Sequence, residues 1–434
     1  MKKVLIITYY WPPSGGGGVQ RWLKFVKYLR DFGWEPIIYT PENPEAPQTD
    51  VSLLKEIPED IMVLKTKVWE PYQLYKRFTG RKKADKIQTA FLSEKKNAGL
   101  AEKISIWIRG NLFIPDARCF WIKPSVKYLS QWLNENKVDA IVSTGPPHSM
   151  HMIALKLQQE HRIPWLADFR DPWTNIDYYQ DLMLGKRADR KHHRLELKVL
   201  KNADAVTVVS PGMKREFKEI VDRRYALITN GFDAADFPIN RIYQKTDKFS
   251  LAHIGSLVKT RNPKELWQAL SSLAQSHTDF SRDLEIRLIG KTDYFVGQSI
   301  EEFGLKQYLK EIDYLPHDQV IEEQINAHVL LLFINRTPNA HLILTGKLFE
   351  YLGAARPIIC IGPIQGDAAQ LISKVSAGLV SDFDDVKQLE INIFGYYQAW
   401  KYGEDLSKKI DNSRFERRNL TATMAAELNA ASDR

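Results

Sequence analysis

Cysteine is scarce in this chain: Cys119 and Cys360 are the only two among 434 residues. Each lies in an apolar context without C-x-x-C spacing, which argues against a disulfide framework or a zinc site and makes a reducing cytoplasm the expected compartment. Long apolar runs are lacking as well, and none approaches the roughly 18 to 20 residues that a spanning helix needs. The start Met1-Lys2-Lys3 is followed by a short apolar run that closes at Trp11-Pro12-Pro13 without an A-x-A site, so it reads as a buried strand and not as a signal peptide. With 44% hydrophobic and 26% charged residues, disorder is excluded. The length exceeds one ordinary core and predicts two units of about 200 residues each.

Charge is present in excess of one sign, and unevenly. Residues 1–250 hold 41 Lys/Arg against 29 Asp/Glu, whereas 251–400 hold 13 against 18. The basic density peaks at Lys76, Arg77, Arg81, Lys82, Lys83, Lys86, Lys95 and Lys96, just before the aromatic stretch Ile104 to Ile114. Cations beside Trp, Phe and Ile suit an anionic membrane surface, which predicts a peripheral location on the inner face of the plasma membrane. A solvated helix and loop is the other reading. No recognition-helix or RNP-like pattern accompanies the charge, so no nucleic acid partner is expected.

Short apolar runs alternate with helical periodicity along the chain, the signature of parallel α/β architecture. Strands are predicted at Val4 to Thr8, Pro36 to Tyr39, Ala140 to Ser143, Trp165 to Asp168, Ala205 to Val209 and Ala226 to Ile228. A second series covers Leu251 to Ile254, Leu284 to Ile289, Val329 to Phe333 and Ile358 to Ile361. The expected division is an N-terminal domain 1–238 with a basic, irregular insertion at about 41–124, a linker 239–248, a C-terminal domain 249–412 and a final helix 413–434. The final helix carries apolar spacing at Phe415, Leu420, Met424 and Leu428, which lets it cross back to the first domain.

Two glycine-marked turns, one in each half, are predicted phosphate sites. Ser14-Gly15-Gly16-Gly17-Gly18-Val19-Gln20-Arg21 follows the first apolar run, and Thr345-Gly346-Lys347-Leu348-Phe349-Glu350-Tyr351 lies beyond the run at Val329. A strand that turns through glycine into a helix aims bare N–H groups and a positive dipole end at an anion. The first turn lacks G-x-G-x-x-G spacing and no acidic residue clearly ends the second strand, which disfavours a redox dinucleotide enzyme.

These elements, in this order, resemble a GT-B glycosyltransferase of the retaining family 4 (glycosyl transferase group 1 type). The features that carry the likeness are Gly17-Gly18-x-x-Arg21, Asn230-Gly231-Phe232-Asp233, His253-Ile254-Gly255, and Lys347-Leu348-Phe349-Glu350-Tyr351. The resemblance covers nearly the whole chain. It implies an α/β fold of two doubly wound Rossmann-like domains facing a cleft, with a C-terminal helix crossing back. It further implies transfer of a sugar from a UDP- or GDP-sugar donor to a glycan or polyprenyl-linked acceptor in cell-surface polysaccharide synthesis. Retention at the anomeric carbon, no metal and no cofactor complete the expectation.

A diphosphate leaving group needs its charge neutralised, and without metal the protein must supply cations and N–H donors. Gly17, Gly18, Ser256, Arg261, Thr345, Gly346, Lys347 and Glu350 are the expected donor-binding residues; Arg261 stands at the family's usual lysine position, and Glu350 matches the glutamate that accepts from ribose hydroxyls. Two departures stand out: Leu342 replaces the first glutamate of the family's Glu-x7-Glu pattern, and Ser256 replaces an arginine. Arg336, Asn339 or His341 are candidates to supply the lost contacts. On the acceptor side the loops after Ser143 and Asp168 offer His148, Arg170 and Asp171 as catalytic candidates. Asp171 either takes the acceptor's proton or stabilises oxocarbenium charge, or else braces its loop by pairing with Arg170. His148 either binds a sugar hydroxyl or caps a helix beginning near Ser149. The aromatic residues of Trp173 to Tyr179 are expected in the core, stacking on a sugar face being the other reading, and His192 and His193 are expected in solvent. A sugar-nucleotide epimerase and a non-catalytic nucleotide-sugar-binding protein are the alternatives.

Overall fold

The computed structural model describes residues 1–46, 49–70, 100–237, 246–408 and 410–433. The chain divides into two compact units, one comprising Met1–Thr229 with Arg417–Arg434, the other Asn230–Glu416.

In the first unit, β1 (Lys2–Ile7), β2 (Trp34–Pro41), β3 (Met62–Thr66), β4 (Ala140–Gly145), β5 (Trp165–Phe169), β6 (Ala205–Val208) and β7 (Ala226–Leu227) form one sheet in the order β3-β2-β1-β4-β5-β6-β7. Every neighbouring pair is parallel. Parallel neighbours need crossover connections, and helices on both faces bury both sides of each central strand. Period-2 alternation then sends Leu5, Ile7 and Ile141 into one core and Val4, Ile6 and Val142 into another. The second of these cores is closed by Trp22 and Phe25 of the helix Gly17–Leu29 and by Leu420, Met424 and Leu428 of the helix Arg417–Ser432. Each such fully buried side chain contributes about 1.5–3 kcal/mol, which explains why the last helix belongs to this unit.

In the second unit, β8 (Phe249–Ile254), β9 (Leu284–Ile289), β10 (Leu309–Ile312), β11 (Val329–Phe333), β12 (Ile358–Ile361) and β13 (Gly378–Ser381) give a second parallel sheet in the order β10-β9-β8-β11-β12-β13. Both sheets therefore reverse their winding at one place, between β1 and β4 in the first and between β8 and β11 in the second. Open α/β sheets bind ligands at the carboxyl ends of such strands.

Several boundaries differ from expectation. The second unit starts at Asn230 and not after 238, because Phe232 and Phe237 pack into its core beside Phe349 and Phe415. The final helix runs from Arg417, not 413. The stretch 41–124 is not wholly irregular: it contributes β3 and the helix Leu100–Leu112. Three strands escaped the sequence reading, namely β3, β10 and β13, and all are sheet edges with few fully buried residues. The basic stretch Lys76 to Lys96 and most of the expected linker lie outside the described residues. Among the described residues, no helix is long and apolar enough to cross a membrane.

Candidate active site

In the first unit the glycine turn ends in the helix Gly17–Leu29, and the chain enters it through Gly16 at φ 94°. Arg21 lies one turn into this helix. It points inward, fully buried, and pairs side-on with Asp168 at the end of β5: Nη2 donates to Oδ1 at 2.8 Å and Nε to Oδ2 at 3.1 Å. Trp22, Thr144 and Thr207 donate to the same carboxylate at 2.7–2.9 Å. Burial alone raises the pKa of Asp168, but Arg21 and these donors overcome it and hold the carboxyl at about 2. The remaining Arg21 donors reach Ile228 O and Thr229 O. This network locks the glycine turn, β4, β5 and β6 together beneath the switch point.

Above it, Arg170 bridges the two loops that flank the switch point. Its Nη1 donates to Gly18 O at 2.9 Å, and its Nη2 to Pro146 O. A Cβ on Gly18 would stand 2.7 Å from Nη1, so residue 18 is glycine because the guanidinium lies upon it. Arg170 is thereby committed to the protein's own backbone, while Gly17 and the neighbouring Asp171 are exposed. His148 is buried and stacked face to face on Trp173, with ring centroids 4.4 Å apart and planes at 2°. Burial, with His151 and His192 nearby, pushes its pKa well below the ordinary histidine value, so the ring is neutral. The helix does begin at Ser149, yet its cap is Asp116, which accepts from Ser149 N and Oγ at 2.8 Å. Trp173 is a core residue, 2% exposed.

His192 corrects the expectation of a solvated pair. It is buried, and its Nδ1 accepts from Trp173 Nε1 at 3.1 Å, while Glu196, one turn on, accepts from the Trp173 and Thr174 backbone N–H groups. His193 alone is exposed. Sequence reasoning also missed His151, which lies one turn beyond His148 and is fully buried; its Nδ1 is 2.8 Å from Ser143 Oγ, and burial lowers its pKa to about 3. The His148-x-x-His151 spacing on an apolar helix was the available signal.

In the second unit the expected donor residues converge. Gly255 follows β8 at φ +106°, and a Cβ there would meet Lys347 Nζ at 2.6 Å and Cε at 2.5 Å. Lys347 lies in the first turn of the helix Gly346–Ala354. Burial, then the nearby Arg261, lowers its pKa to about 7, against the opposing pull of Glu350. Arg261 donates from Nε to Asn335 Oδ1 at 2.6 Å, joining the loop after β8 to the loop after β11 across the switch point. Ser256 stands part-exposed beside Gly255, and Gly346 is exposed. Thr345 occupies the N-cap, but its side chain makes no cap bond, and its buried Oγ1 has no hydrogen-bond partner among the described residues. His253, buried below, donates from Nδ1 to Leu331 O at 2.9 Å, and its Nε2 has no hydrogen-bond partner among the described residues. Glu350 is held by Gln324, a fully buried amide whose Nε2 donates to Oε2 at 3.2 Å. Gln324 was not foreseen, since it is on another helix 26 residues upstream.

The substitutes proposed for the missing family contacts fare differently. Arg336 turns outward to Asp384 at 2.9 Å and Glu265 at 3.1 Å, so it is occupied on the surface. His341 is exposed, Asn339 accepts from Thr337 Oγ1 at 2.9 Å, and Leu342 is buried. Two basic side chains, a helix N-terminus and a hydroxyl unpartnered among the described residues thus meet where the sheet reverses, groups of the kind that bind an anion.

The chain is similar in structure to S. aureus TarM, solved with fondaparinux, α-GlcNAc-glycerol and UDP, at 10% identity over 100% of both chains and a TM-score of 0.61. It is similar to WaaG, a glycosyltransferase involved in lipopolysaccharide biosynthesis, at 14% identity over 99% of this chain and 98% of that one, with a TM-score of 0.57. A putative UDP-N-acetylglucosamine 2-epimerase from Listeria monocytogenes matches at 8% identity over 99% and 96%, also with a TM-score of 0.57. At these identities the likeness shows the GT-B fold, which transferases and epimerases share. No curated protein matches the sequence. The model of Glycosyltransferase Family 4 matches residues 15–236, just over half of the chain. The chain belongs to Glycosyltransferase Family 4.

Proposed function

We propose that the protein is a retaining, metal-independent transferase that takes a sugar from a UDP- or GDP-sugar and passes it to a glycan or polyprenyl-linked acceptor at a membrane surface. The observation that carries the donor half of this reading is the meeting of Lys347 and Arg261 with the N-terminus of the helix Gly346–Ala354, beside the unpartnered Thr345 hydroxyl. As the glycosidic bond to the diphosphate breaks, negative charge grows on the leaving oxygen, and these donors stabilise it without a metal ion. Glu350, held by Gln324, accepts from the ribose hydroxyls. Asp171, exposed at the end of β5, is the carboxylate assigned to the acceptor's proton or to the developing oxocarbenium charge. Arg170 and neutral His148 shape its loop.

The buried Leu342, in place of the family's first glutamate, supports a second reading, a nucleotide-sugar-binding protein without turnover. One experiment separates the two. A panel of UDP-, GDP- and dTDP-sugars is scored for thermal stabilisation, and the stabilising donor is then incubated with candidate acceptors in chelator while NMR follows the anomeric proton. Stabilisation by one nucleotide and an α-to-α or β-to-β product supports the transferase. Stabilisation with no product for any acceptor favours the binding protein, and a flat panel rejects both.

A further inference from the structure

Two aromatic rings stand out of the first unit at the carboxyl end of its sheet. Trp69, three residues past β3, is 56% exposed, and Phe120, in the turn Cys119–Trp121, is 45% exposed. They meet edge to face, with centroids 4.9 Å apart and planes at 81°, and Phe113 packs edge-on against Phe120 at 5.6 Å.

The two segments that carry these rings are also joined by buried charge. Glu70, next to Trp69, pairs with Arg118 Nε at 2.8 Å, and both side chains are less than one-tenth exposed. Tyr9, two residues past β1, donates to the same Glu70 oxygen at 2.8 Å and accepts from Glu45 N at 2.8 Å, and the Arg118 guanidinium lies 4.4 Å from its ring centroid. Asn43 clamps the backbone just before Trp69, donating to Val68 O at 3.1 Å and accepting from Val68 N at 3.0 Å. Trp121, just after Phe120, is buried, stacked on Tyr39 at 5.0 Å, and donates to Thr66 Oγ1 at 2.9 Å. Both exposed rings are thus presented from anchored backbone, so covering them costs little further ordering.

Size and place point to what covers them. Two half-exposed rings offer roughly 200 Å², whereas a stable protein partner covers about 800 Å²; the patch fits one or two sugar rings. The C–H groups on one face of a hexose are apolar and slightly positive, and they pack on the negative face of an indole. Open α/β sheets take their ligands at this end, and Asp171 follows β5 there too. Four strand spacings of about 4.8 Å, roughly 19 Å in all, separate β3 from β5. We propose that Trp69 and Phe120 form a second carbohydrate subsite, on which an acceptor glycan several units long lays a sugar ring while its reacting end lies at Asp171. The inference rests on the glycan acceptor of the proposed function and deepens it: the acceptor is an extended chain, and Trp69 senses its length.

The test is calorimetric titration of the nucleotide-free full chain with glucose-, galactose- and N-acetylglucosamine-based oligosaccharides, from disaccharide to octasaccharide, on the wild type, Trp69→Ala and Phe120→Ala. In at least one series the wild-type affinity should rise about tenfold once the chain is long enough to reach the rings, and stay level beyond that length. Trp69→Ala should keep the short-chain affinity and the melting temperature and lose the rise, and Phe120→Ala should lose part of it. Length-independent affinity in the wild type, an undiminished rise in Trp69→Ala, or no binding in any series overturns the inference. So does binding to phosphatidylglycerol vesicles that Trp69→Ala abolishes in the absence of any glycan binding, which assigns the rings to lipid. The titration needs neither donor nor turnover. Length-dependent binding without product from any donor would therefore reject the transferase and keep the subsite, whereas product formed with equal KM from short and long acceptors would reject the subsite and keep the transferase.

Discussion

Lys347 fills the space of the Cβ that Gly255 lacks, its Nζ 2.6 Å and its Cε 2.5 Å from where that atom would stand. Any side chain at 255 must push the amine away, and φ +106° strains a non-glycine residue besides. Gly255→Ala is expected to weaken nucleotide binding about tenfold or more, as measured by calorimetry, through the displaced lysine.

The hold of Gln324 on Glu350 predicts a graded effect on ribose recognition. Replacing one partner of a buried hydrogen bond leaves the other poorly placed, at a cost of about 1–3 kcal/mol. Gln324→Leu should therefore narrow the preference for UDP over 2′-deoxy-UDP, and Glu350→Ala should abolish it and weaken donor binding outright. Equal preference ratios in the wild type and both variants would remove Glu350 from the ribose site.

Asp171 tests the acceptor side. Positioned general bases contribute about 10²–10⁴-fold, so Asp171→Asn should lower kcat by at least about 100-fold while the donor Kd moves little. A change confined to protein stability would make Asp171 a brace for its loop.

The pair Arg21–Asp168 predicts how stability responds to mutation and to acid. Removing one member of a buried ion pair costs about 3–5 kcal/mol, so Arg21→Met should lower unfolding stability in urea by that order with little direct effect on nucleotide affinity. The folded carboxyl titrates at about 2, below its unfolded value. Its contribution is therefore complete above about pH 4 and is lost as pH falls toward 2. In Asp168→Asn that segment of the acid-unfolding curve should flatten.

The sequence made the alternating architecture legible because central parallel strands such as β1, β4 and β11 are buried on both faces and read as apolar runs. The edge strands β3, β10 and β13 are only partly covered, so Met62-Val63-Leu64-Lys65-Thr66 carries no such signal. Lys347 and Glu350 were legible because local spacing places them on one helix. Pairings across the fold were not: Arg21 meets Asp168 over 147 residues, and Arg170 meets Gly18 over 152. His192 misled because its helix is highly charged, and only tertiary packing turns its His192 and Glu196 stripe toward Trp173.

Lys347 also gives the account its most direct test. Its amine titrates at about 7 in the free protein, and a diphosphate binds the protonated form, so affinity must decline as pH rises through and beyond that value. Calorimetric titration of UDP and GDP between about pH 6 and 9, on the wild type and Lys347→Met, reads this directly. The expected result is binding of one nucleotide that weakens with rising pH, and a variant about 10- to 100-fold weaker, the loss of one charged hydrogen bond, with no such pH dependence. A Lys347→Met variant that binds as tightly as the wild type, with the same pH profile, would contradict the placement of the donor diphosphate at this helix.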